Sequence, residues 1–162
     1  MIKAIMAVDD KGGISKGRSM PWPKNSSDLK WFKKNTENQV VIMGSKTWED
    51  PFMPTPLKNR VNIIITNKDS SFYKGADHYL KGDISNEILN LEKKYLEKDI
   101  FIIGGTEIIK QSFNLFKEFY LTRIYGNFEC DKFLDIKKIE DTMELIKKID
   151  CDNNCHFEIW KK

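Results

Sequence analysis

Asp28 is the acid in this sequence whose neighbours are best suited to chemistry. It opens an aromatic-rich segment with helical spacing, residues 26–35, in which we expect Ser26 and Ser27 to act as caps. Phe32 follows at i+4, so the two side chains share a helix face. A carboxyl beside a phenyl ring on an inward face is desolvated, which raises its pKa and suits it to an amidine-like heterocycle. An acid in a first helical turn can also simply complement the helix dipole, and the residues alone leave both interpretations open.

Two strand-to-helix transitions are candidates for phosphate binding. An apolar run ends at Gly44, and a helix is expected to begin around residues 45–47. A second run ends at Gly104 and Gly105, and Thr106 opens the next helical segment. The start of a helix offers unpaired N–H groups and the positive end of its dipole, and glycines let the backbone approach a ligand closely. Two such transitions in one small chain predict a ligand with several phosphates, such as a dinucleotide. The first is not a P-loop, because it lacks the glycines which that motif requires.

Metal and disulfide chemistry find little support in the sequence. His78 and His156 have no metal-ligand spacing with other residues. Cys151 and Cys155, followed by His156, resemble half of a zinc site with no second half, so no metal is expected. Together with Cys130 these thiols form no visible disulfide framework, and we expect all three to be unpaired.

The secondary-structure elements that position these residues are predicted from two alternating patterns. Short apolar runs indicate strands, and segments with apolar residues at helical spacing indicate helices. Strands are predicted at 2–8, 40–43, 62–66 and 100–103, and helices at 26–35, 84–95 and 106–116. This alternation predicts an α/β fold with a mainly parallel sheet and helices on its faces. Strand-like runs at 119–125 and 156–160, joined by charged segments, fit a late antiparallel addition at one edge.

Length and composition bound the class of protein. A chain of 162 residues with 40% hydrophobic and 31% charged residues is typical of one globular domain, residues 1–162. The net charge of +3 comes from lysines scattered among acids, which argues against a nucleic-acid surface. The apolar runs are too short to span a bilayer. A lysine interrupts the first of them, so the apolar h-region of a signal peptide is not expected. We therefore expect a reduced, cytosolic protein.

A flexible loop next to stiff corners follows the first predicted strand. Gly12, Gly13 and Gly17 make this loop pliable, whereas all five prolines lie between positions 21 and 56. Such a combination is typical of lids over binding sites, although an ordinary surface loop has the same composition.

Taken in order, a set of short segments closely resembles the dihydrofolate reductases. The set is Ile5-Met6-Ala7-Val8, Ile14, Met20-Pro21-Trp22 and residues 28–33, 41–49, 60–64, 102–105, 120–122 and 157–159. The segments span essentially the whole chain, and their order makes the resemblance specific. It implies a central, mostly parallel eight-stranded sheet with an antiparallel C-terminal strand and flanking helices. It also implies NADPH-dependent reduction of 7,8-dihydrofolate to 5,6,7,8-tetrahydrofolate, by hydride transfer to C6 and protonation at N5, in support of one-carbon metabolism and thymidylate synthesis.

The resemblance assigns the substrate side of the site. Asp28 would accept hydrogen bonds from the pterin N3 and 2-amino group and would favour the N5-protonated substrate. Thr122 and Trp22 would hold the water through which the proton passes. Arg60 would bind the α-carboxylate of the glutamate tail. The implied catalytic residues are Asp28, Trp22, Thr122 and Met20. The implied substrate-binding residues are Ile5 and Ile103 with their main-chain carbonyls, Met6, Asp28, Phe32, Arg60 and Thr122.

The resemblance also assigns the cofactor side. Ala7, Ile14 and Met20 would line the nicotinamide of NADPH, and the loop of residues 9–19 would close over it as a mobile lid. Residues that would hold the pyrophosphate and ribose phosphate come from three places: Gly44, Ser45, Lys46 and Thr47; Thr66, Asn67 and Lys68; and Ile103, Gly104, Gly105, Thr106 and Glu107. The family joins its two glycines by a cis peptide.

Three positions depart from the family pattern. Ser15 replaces a glycine in the lid, and Ile109 replaces a frequent tyrosine near the nicotinamide. Ser45 stands where an arginine commonly supports the cofactor phosphates, which leaves Lys68 and its neighbours to receive the 2′-phosphate.

Two alternatives compete with a dihydrofolate reductase. A related reductase of a riboflavin-pathway pyrimidine shares the fold, but Asp28 after Met20-Pro21-Trp22 argues against it. A catalytically silent dinucleotide-binding protein would not need Asp28, Thr122 and the paired glycines. The expected partners are dihydrofolate and antifolates, with no nucleic acid or membrane, and a monomer is expected.

Overall fold

The computed structural model describes residues 1–162. Its ten strands are β1 (Ile2–Val8), β2 (Gly13–Ser15), β3 (Val40–Gly44), β4 (Val61–Ile65), β5 (His78–Leu80), β6 (Ile100–Gly104), β7 (Glu118–Ile124), β8 (Lys132–Phe133), β9 (Glu144–Asp152) and β10 (Cys155–Lys161). Its five α-helices are α1 (Ser26–Thr36), α2 (Ser45–Trp48), α3 (Ile84–Lys94), α4 (Thr106–Ser112) and α5 (Ile136–Thr142). A short 3-10 helix spans Ser70–Tyr73.

Eight of the strands form one twisted sheet in the order β5-β4-β3-β6-β1-β7-β10-β9. Neighbours are parallel except where β10 pairs with β7 and with β9. The parallel central strands are covered on both faces, as is usual for parallel sheets. Their residues Ile42, Ile63 and Ile102 are completely buried. This confirms the predicted mostly parallel sheet with an antiparallel C-terminal strand. Strands β2 and β8 form a separate antiparallel pair.

The two faces of the sheet carry different cores. Side chains alternate between faces along a strand, so Ala4 of β1 belongs to a cluster of 22 buried residues with α3 and α4, and Ile5 belongs to a cluster of nine. Trp31 and Phe32 of α1 pack on the smaller cluster. Helix α1, and with it Asp28, therefore lies on the face opposite α3 and α4.

One helix is shorter than predicted, and the structure contains elements that the sequence pattern did not predict. Helix α4 ends at Ser112, and Phe113 and Phe116 then turn into the core. Strand β9 was not predicted, because it is an edge strand with mostly exposed, charged side chains and shows no apolar run. The short β2, β5 and β8 and helix α5 were also missed.

The expectation of three unpaired thiols is wrong for two of them. Cys151 and Cys155 are joined by a disulfide across the β9–β10 turn, and their Cα atoms are 6.0 Å apart. The turn at Asn153 and Asn154 brings them together, which spacing alone did not reveal. Cys130 is free and buried.

None of the helices has the length and apolar character needed to cross a membrane.

Candidate active site

Helix α1 begins at a side-chain cap that fixes the position of Asp28. The Oδ1 atom of Asn25 accepts a hydrogen bond from the backbone N–H of Asp28 at 2.9 Å. The prediction that Ser26 and Ser27 cap the helix is therefore wrong, since both serines already lie within it. One turn further on, the ring of Trp31 stacks on Phe157 with centroids 4.4 Å apart. The cap and the stack together hold the first turn of α1 against the sheet.

The carboxyl group of Asp28 meets Thr122 in the middle of the sheet. Thr122 is 1% exposed and lies on β7, where it pairs with Ala7 of β1. Burial raises the pKa of Asp28, and a hydrogen bond with the Thr122 side chain opposes this only in part. Asp28 forms no salt bridge, so burial of an unpaired carboxyl sets its acidity. A buried carboxyl group of this kind is suited to pair with a cationic or amidine-like heterocycle.

Apolar clusters cover the face of the sheet on which α1 lies. Ile5 and Ile103 lie in the smaller cluster, against which Phe32 packs. Trp22 is buried on another side, edge-on to Phe128 with ring centroids 6.0 Å apart. Apolar and aromatic side chains of this kind are typical of the walls of a pocket for a flat aromatic ligand.

An open cleft extends from α1 past Arg60. It has a volume of about 330 Å³ and is lined by Lys33, Glu37, Pro54, Pro56, Leu57, Lys58, Asn59 and Arg60. The Nε and Nη2 atoms of Arg60 donate to Thr36 Oγ1 at 3.2 and 3.1 Å, and Nη1 donates to the Lys58 carbonyl at 2.7 Å. Its guanidinium lies 5.9 Å from the ring centroid of Phe32. Burial lowers the pKa of Arg60, against the opposing effect of Glu37, but the group remains a cation at neutral pH.

The paired glycines form the floor of a second binding region. Gly104 has φ +133°, and the peptide to Gly105 is cis, as the resemblance implied. A Cβ on Gly104 would lie 3.3 Å from Thr47 Oγ1, whereas one on Gly105 would meet nothing within 4 Å. The β3–α2 and β6–α4 transitions thus lie side by side, with open space beside Gly105. This arrangement fits the phosphates of a dinucleotide such as NADPH.

The other residues predicted to bind the cofactor, and Met6 of the predicted substrate site, differ in their exposure and contacts. Lys46 and Asn67 are exposed, and Ser45 is half-buried. Thr66 is buried and its hydroxyl donates to Tyr73 at 3.1 Å, while Lys68 lies 3.4 Å from Glu49 in an exposed ion pair. Met6, Gly44, Thr106 and Glu107 lie beside the paired glycines or on α4, and Ala7 lies on β1.

The lid of residues 9–19 is anchored at its base by Asp9, which is 1% exposed. Asp9 Oδ1 accepts from the N–H groups of Gly13 at 2.8 Å and Lys11 at 2.9 Å. Its Oδ2 accepts from Phe128 N–H at 3.1 Å and from Cys130 Sγ at 3.5 Å. Burial favours the protonated acid, but the backbone hydrogen bonds outweigh it and the pKa of Asp9 lies below its usual value. One carboxylate thereby fastens the lid to the loop of residues 126–131.

The other end of the lid is held by the same loop. Asp131 Oδ2 accepts from Gly17 N–H at 2.8 Å, and Asp131 N–H donates to the Ser15 carbonyl at 2.9 Å. Ile14, within the lid, is buried, and Met20, directly after it, is 37% exposed. These contacts hold the loop of residues 9–19 at both ends.

We expect Asp9→Asn to lower the free energy of unfolding by about 1–3 kcal/mol at pH 7. An amide nitrogen in place of one oxygen leaves the buried Phe128 N–H without an acceptor. Because the folded-state pKa of Asp9 is depressed, its contribution is present above the unfolded-state pKa and is lost as the pH falls through the folded-state value. Urea unfolding should therefore show a difference that shrinks between pH 7 and about pH 3.

Asp141→Asn, which alters an exposed acid on α5, is the control for this measurement and should change stability little. An equal loss in both variants, or a loss for Asp9→Asn that does not depend on pH, would contradict the anchoring role.

The sequence and the fold match a known family. A family model described as dihydrofolate reductase matches residues 1–161. The chain belongs to the dihydrofolate reductase family. Its reaction is the family's, the NADPH-dependent reduction of dihydrofolate to tetrahydrofolate, which makes it an NADP-dependent oxidoreductase. This decides between the two reductases that the sequence alone left in competition.

Individual dihydrofolate reductases are similar over most of the chain. A viral dihydrofolate reductase of Saimiriine herpesvirus 2 (strain 488) is 31% identical over 159 residues, covering 89% of this chain and 74% of the viral protein. The dihydrofolate reductase of Gallus gallus is 32% identical over 145 residues, covering 82% and 76%. Among solved structures, dihydrofolate reductase from Enterococcus faecalis complexed with NADP(H) and RAB-propyl is 28% identical. It superimposes with a TM-score of 0.84, covering 99% of this chain and 95% of that one.

Sequence reasoning missed Asp9 and Asp131, the two acids that hold the lid of this dihydrofolate reductase. A local signal existed for Asp9, because an acid two residues before a turn commonly accepts a backbone N–H. No local signal existed for Asp131, which lies far along the chain from Gly17.

Proposed function

We propose that Asp28 is the acid that binds the pterin and controls its protonation in this dihydrofolate reductase. The observation that carries this assignment is a carboxyl group without a salt bridge, whose pKa burial raises against the opposing effect of a hydrogen bond with the Thr122 side chain. Such a carboxylate can pair with the N3 and 2-amino group of the pterin, a charge-assisted arrangement of two parallel hydrogen bonds. A raised pKa also increases the protonated fraction of this group at a given pH relative to an ordinary aspartate, as suits a general acid.

The neighbours of Asp28 would complete the substrate site. The main-chain carbonyls of Ile5 and Ile103 can accept from the heterocycle, and Phe32 can pack against its rings. Thr122 and Trp22 would orient the water that carries the proton to N5. Arg60, at the open end of the cleft, would bind the glutamate tail, and Met6 would support the pterin from β1.

The lid and the paired glycines would hold NADPH, which when bound supplies the hydride for C6 of the pterin. Ala7, Ile14 and Met20 would line the nicotinamide, where they exclude water from the reacting atoms. Lys46 and Thr47 on one side, and Gly105, Thr106 and Glu107 on the other, would bind the pyrophosphate. The protein's own contribution is alignment of the two rings and exclusion of bulk water.

The 2′-phosphate of NADPH would be bound by Thr66, Asn67 and Lys68, because Ser45 offers no charge. Lys68, which forms an exposed ion pair with Glu49, would then leave that pair and bind the phosphate instead. We further propose that residues 1–162 act as one domain and as a monomer in the cytoplasm, the state consistent with a site formed within one chain.

The activity assay follows the loss of absorbance at 340 nm with NADPH and dihydrofolate, with NADH in parallel. We expect turnover with NADPH, and slower turnover with NADH because it lacks the 2′-phosphate that Lys68 would bind. Absence of turnover with both would support the alternative of a silent dinucleotide-binding protein. Equal turnover with both would remove Lys68 and its neighbours from the phosphate site.

A further inference from the structure

The Cys151–Cys155 disulfide lies at the tip of the β9–β10 hairpin, against the start of α1. Cys155 is completely buried in a cluster with Trp22 and Phe157, and Trp31 of α1 packs against that cluster. Cys151 is only half-buried. It is therefore the cysteine of the pair that a small molecule in solution can reach.

The carboxylate of Asp152, between the two cysteines, links the hairpin tip to α1. Its Oδ2 accepts a hydrogen bond from the Ser27 hydroxyl at 2.7 Å. Its Oδ1 accepts from the N–H groups of Asn154 at 2.6 Å and Cys155 at 3.2 Å. One carboxylate thus holds both the turn that the disulfide closes and the residue directly before Asp28.

The sulfur of Cys155 reaches the cap of the same helix. It lies 3.9 Å from Asn25 Oδ1, the atom that accepts the N–H of Asp28. The sulfur of Cys151 lies 2.9 Å from the carbonyl oxygen of Cys155. A disulfide sulfur has no hydrogen to donate, whereas a thiol is a weak donor. An acceptor is therefore in place for each S–H group that reduction would create, and one of the two acceptors is the cap of α1.

The placement of this disulfide is better suited to a reversible bond than to a permanent cross-link. The two cysteines are separated by only four positions in the sequence. Cross-links that close short loops restrict the unfolded chain less than those that join distant segments, so the fold depends little on this bond. In the cytoplasm, where we place this protein, disulfides are usually transient, catalytic or redox-sensing.

We propose that Cys151 and Cys155 form a thiol–disulfide exchange site whose redox state controls how firmly the first turn of α1 holds Asp28 for the substrate. This coupling rests on the proposed role of Asp28 in binding dihydrofolate. When the bond is broken, the two sulfurs separate from bonding distance to van der Waals contact. Because Cys155 is held in the core, the displacement falls on Cys151 and on Asp152 beside it. The bond to Ser27 is then weakened, and the first turn of α1 is held less firmly.

A low-molecular-weight thiol is the second reactant of this exchange. Its thiolate attacks Sγ of Cys151, the S–S bond breaks, and the electron pair leaves on the sulfur of Cys155, which takes up the proton that the attacking thiol lost. A second thiol then attacks the mixed disulfide and releases the thiol of Cys151. Two electrons reduce the protein disulfide to two thiols, while two small thiols are oxidised to one disulfide. The same steps in reverse restore the bond.

The test measures the dissociation constant for dihydrofolate in the oxidised and the reduced protein, by the quenching of tryptophan fluorescence without NADPH. The solutions are anaerobic and contain a chelator, because the two sulfurs and a carboxylate oxygen of Asp152 lie within 4.8 Å of one another and could otherwise hold a metal ion. We expect binding about fivefold weaker in the reduced protein, at the lower end of usual couplings between sites. Since such coupling is reciprocal, bound dihydrofolate should lower the equilibrium constant for reduction by dithiothreitol by the same factor.

Three variants show whether the effect passes through the proposed contacts. Cys151→Ser removes the bond but leaves the buried Cys155 in place, and it should bind dihydrofolate as the reduced protein does, with or without reductant. Ser27→Ala keeps the disulfide and removes its link through Asp152, so the two dissociation constants should move closer together. Ser26→Ala, which alters an exposed residue of the same turn, is the matched control and should leave their ratio unchanged.

The outcomes separate this inference from the proposed function. Equal binding by the oxidised and the reduced protein would overturn the inference, and so would equal effects of Ser26→Ala and Ser27→Ala. Failure of dithiothreitol to release two thiols from the folded protein would overturn the exchange site itself. Failure of the oxidised protein to bind dihydrofolate would instead overturn the proposed function. Reduction should even then shift the emission of Trp22 and Trp31, and the absence of that shift would overturn the inference as well.

Discussion

Replacing Asp28 by asparagine should lower kcat/KM for dihydrofolate by about 100-fold or more near neutral pH, which is the usual contribution of a general acid. Asparagine keeps the size of the side chain and can still accept a hydrogen bond from Thr122. It cannot carry the proton or provide the negative charge that favours the N5-protonated pterin. The loss should be measured from the absorbance change at 340 nm across a range of pH.

The pH dependence gives this prediction a second readout. Because burial raises the pKa of Asp28, activity of the unmodified enzyme should fall as the pH rises through a value above the ordinary range of aspartate. In Asp28→Asn this inflection should be absent, and the residual rate should increase towards acid pH as the proton comes from solvent. Retention of the same inflection would show that another group is the acid.

Stability should change in the opposite direction to activity. A carboxyl group whose folded-state pKa is raised binds its proton more tightly in the folded protein, so its ionisation costs stability as the pH rises. Asp28→Asn removes that cost, and its free energy of unfolding at pH 8 should equal or exceed that of the parent. Glu87→Gln, an exposed acid in the first turn of α3, is the matched control. If both variants lost little activity and a similar small amount of stability, Asp28 would only complement the helix dipole.

Replacing Arg60 by leucine should raise KM for dihydrofolate by roughly 10- to 100-fold and leave kcat within about threefold. The estimate follows from the loss of charge-assisted hydrogen bonds to the α-carboxylate, each worth about 1.5–3 kcal/mol. The reacting ring lies at the other end of the substrate, so the chemical step should be little affected. Steady-state kinetics with varied dihydrofolate separate the two parameters.

A second substrate distinguishes binding from a structural role of Arg60. Dihydropteroate lacks the glutamate, so its KM should change little in Arg60→Leu. Lys58→Leu removes another cation of the same cleft, and it should have a small effect because only the Lys58 carbonyl contacts Arg60. Arg60→Lys should be intermediate, since an ammonium lacks the planar fork. Equal losses for both substrates would indicate that the bonds to Thr36 and Lys58 support the fold.

Much of the sheet could be predicted because its central strands are buried on both faces. Short, continuous apolar runs such as 40–43 and 100–103 are typical of strands covered on both sides, and the structure places strands there. Edge elements were missed for the converse reason. The charged, exposed residues of β9 obtain their strand conformation from pairing with β10, which local residue patterns do not encode.

Helix ends and turns were predicted less well than the central strands but better than the edge strands. Asn25, and not a serine, caps α1, since several neighbouring polar residues can serve and the path of the preceding chain selects among them. The same holds for the Cys151–Cys155 disulfide, which depends on the tight β9–β10 turn. For α1 a polar cap was predicted at the wrong residue, and for the two cysteines the prediction of unpaired thiols was wrong.

By itself, the amino-acid sequence determined which residues share a face or follow a strand. Asp28 and Phe32 lie one helical turn apart, and Gly104 and Gly105 end a buried strand, because these relations depend only on near neighbours. Only the tertiary structure decided which distant groups meet: Thr122 at Asp28, Phe128 at Asp9 and Asp131 at Gly17. Those contacts depend on strand order and register, and the apolar residues that pack the sheet are too nearly interchangeable to specify either one in advance.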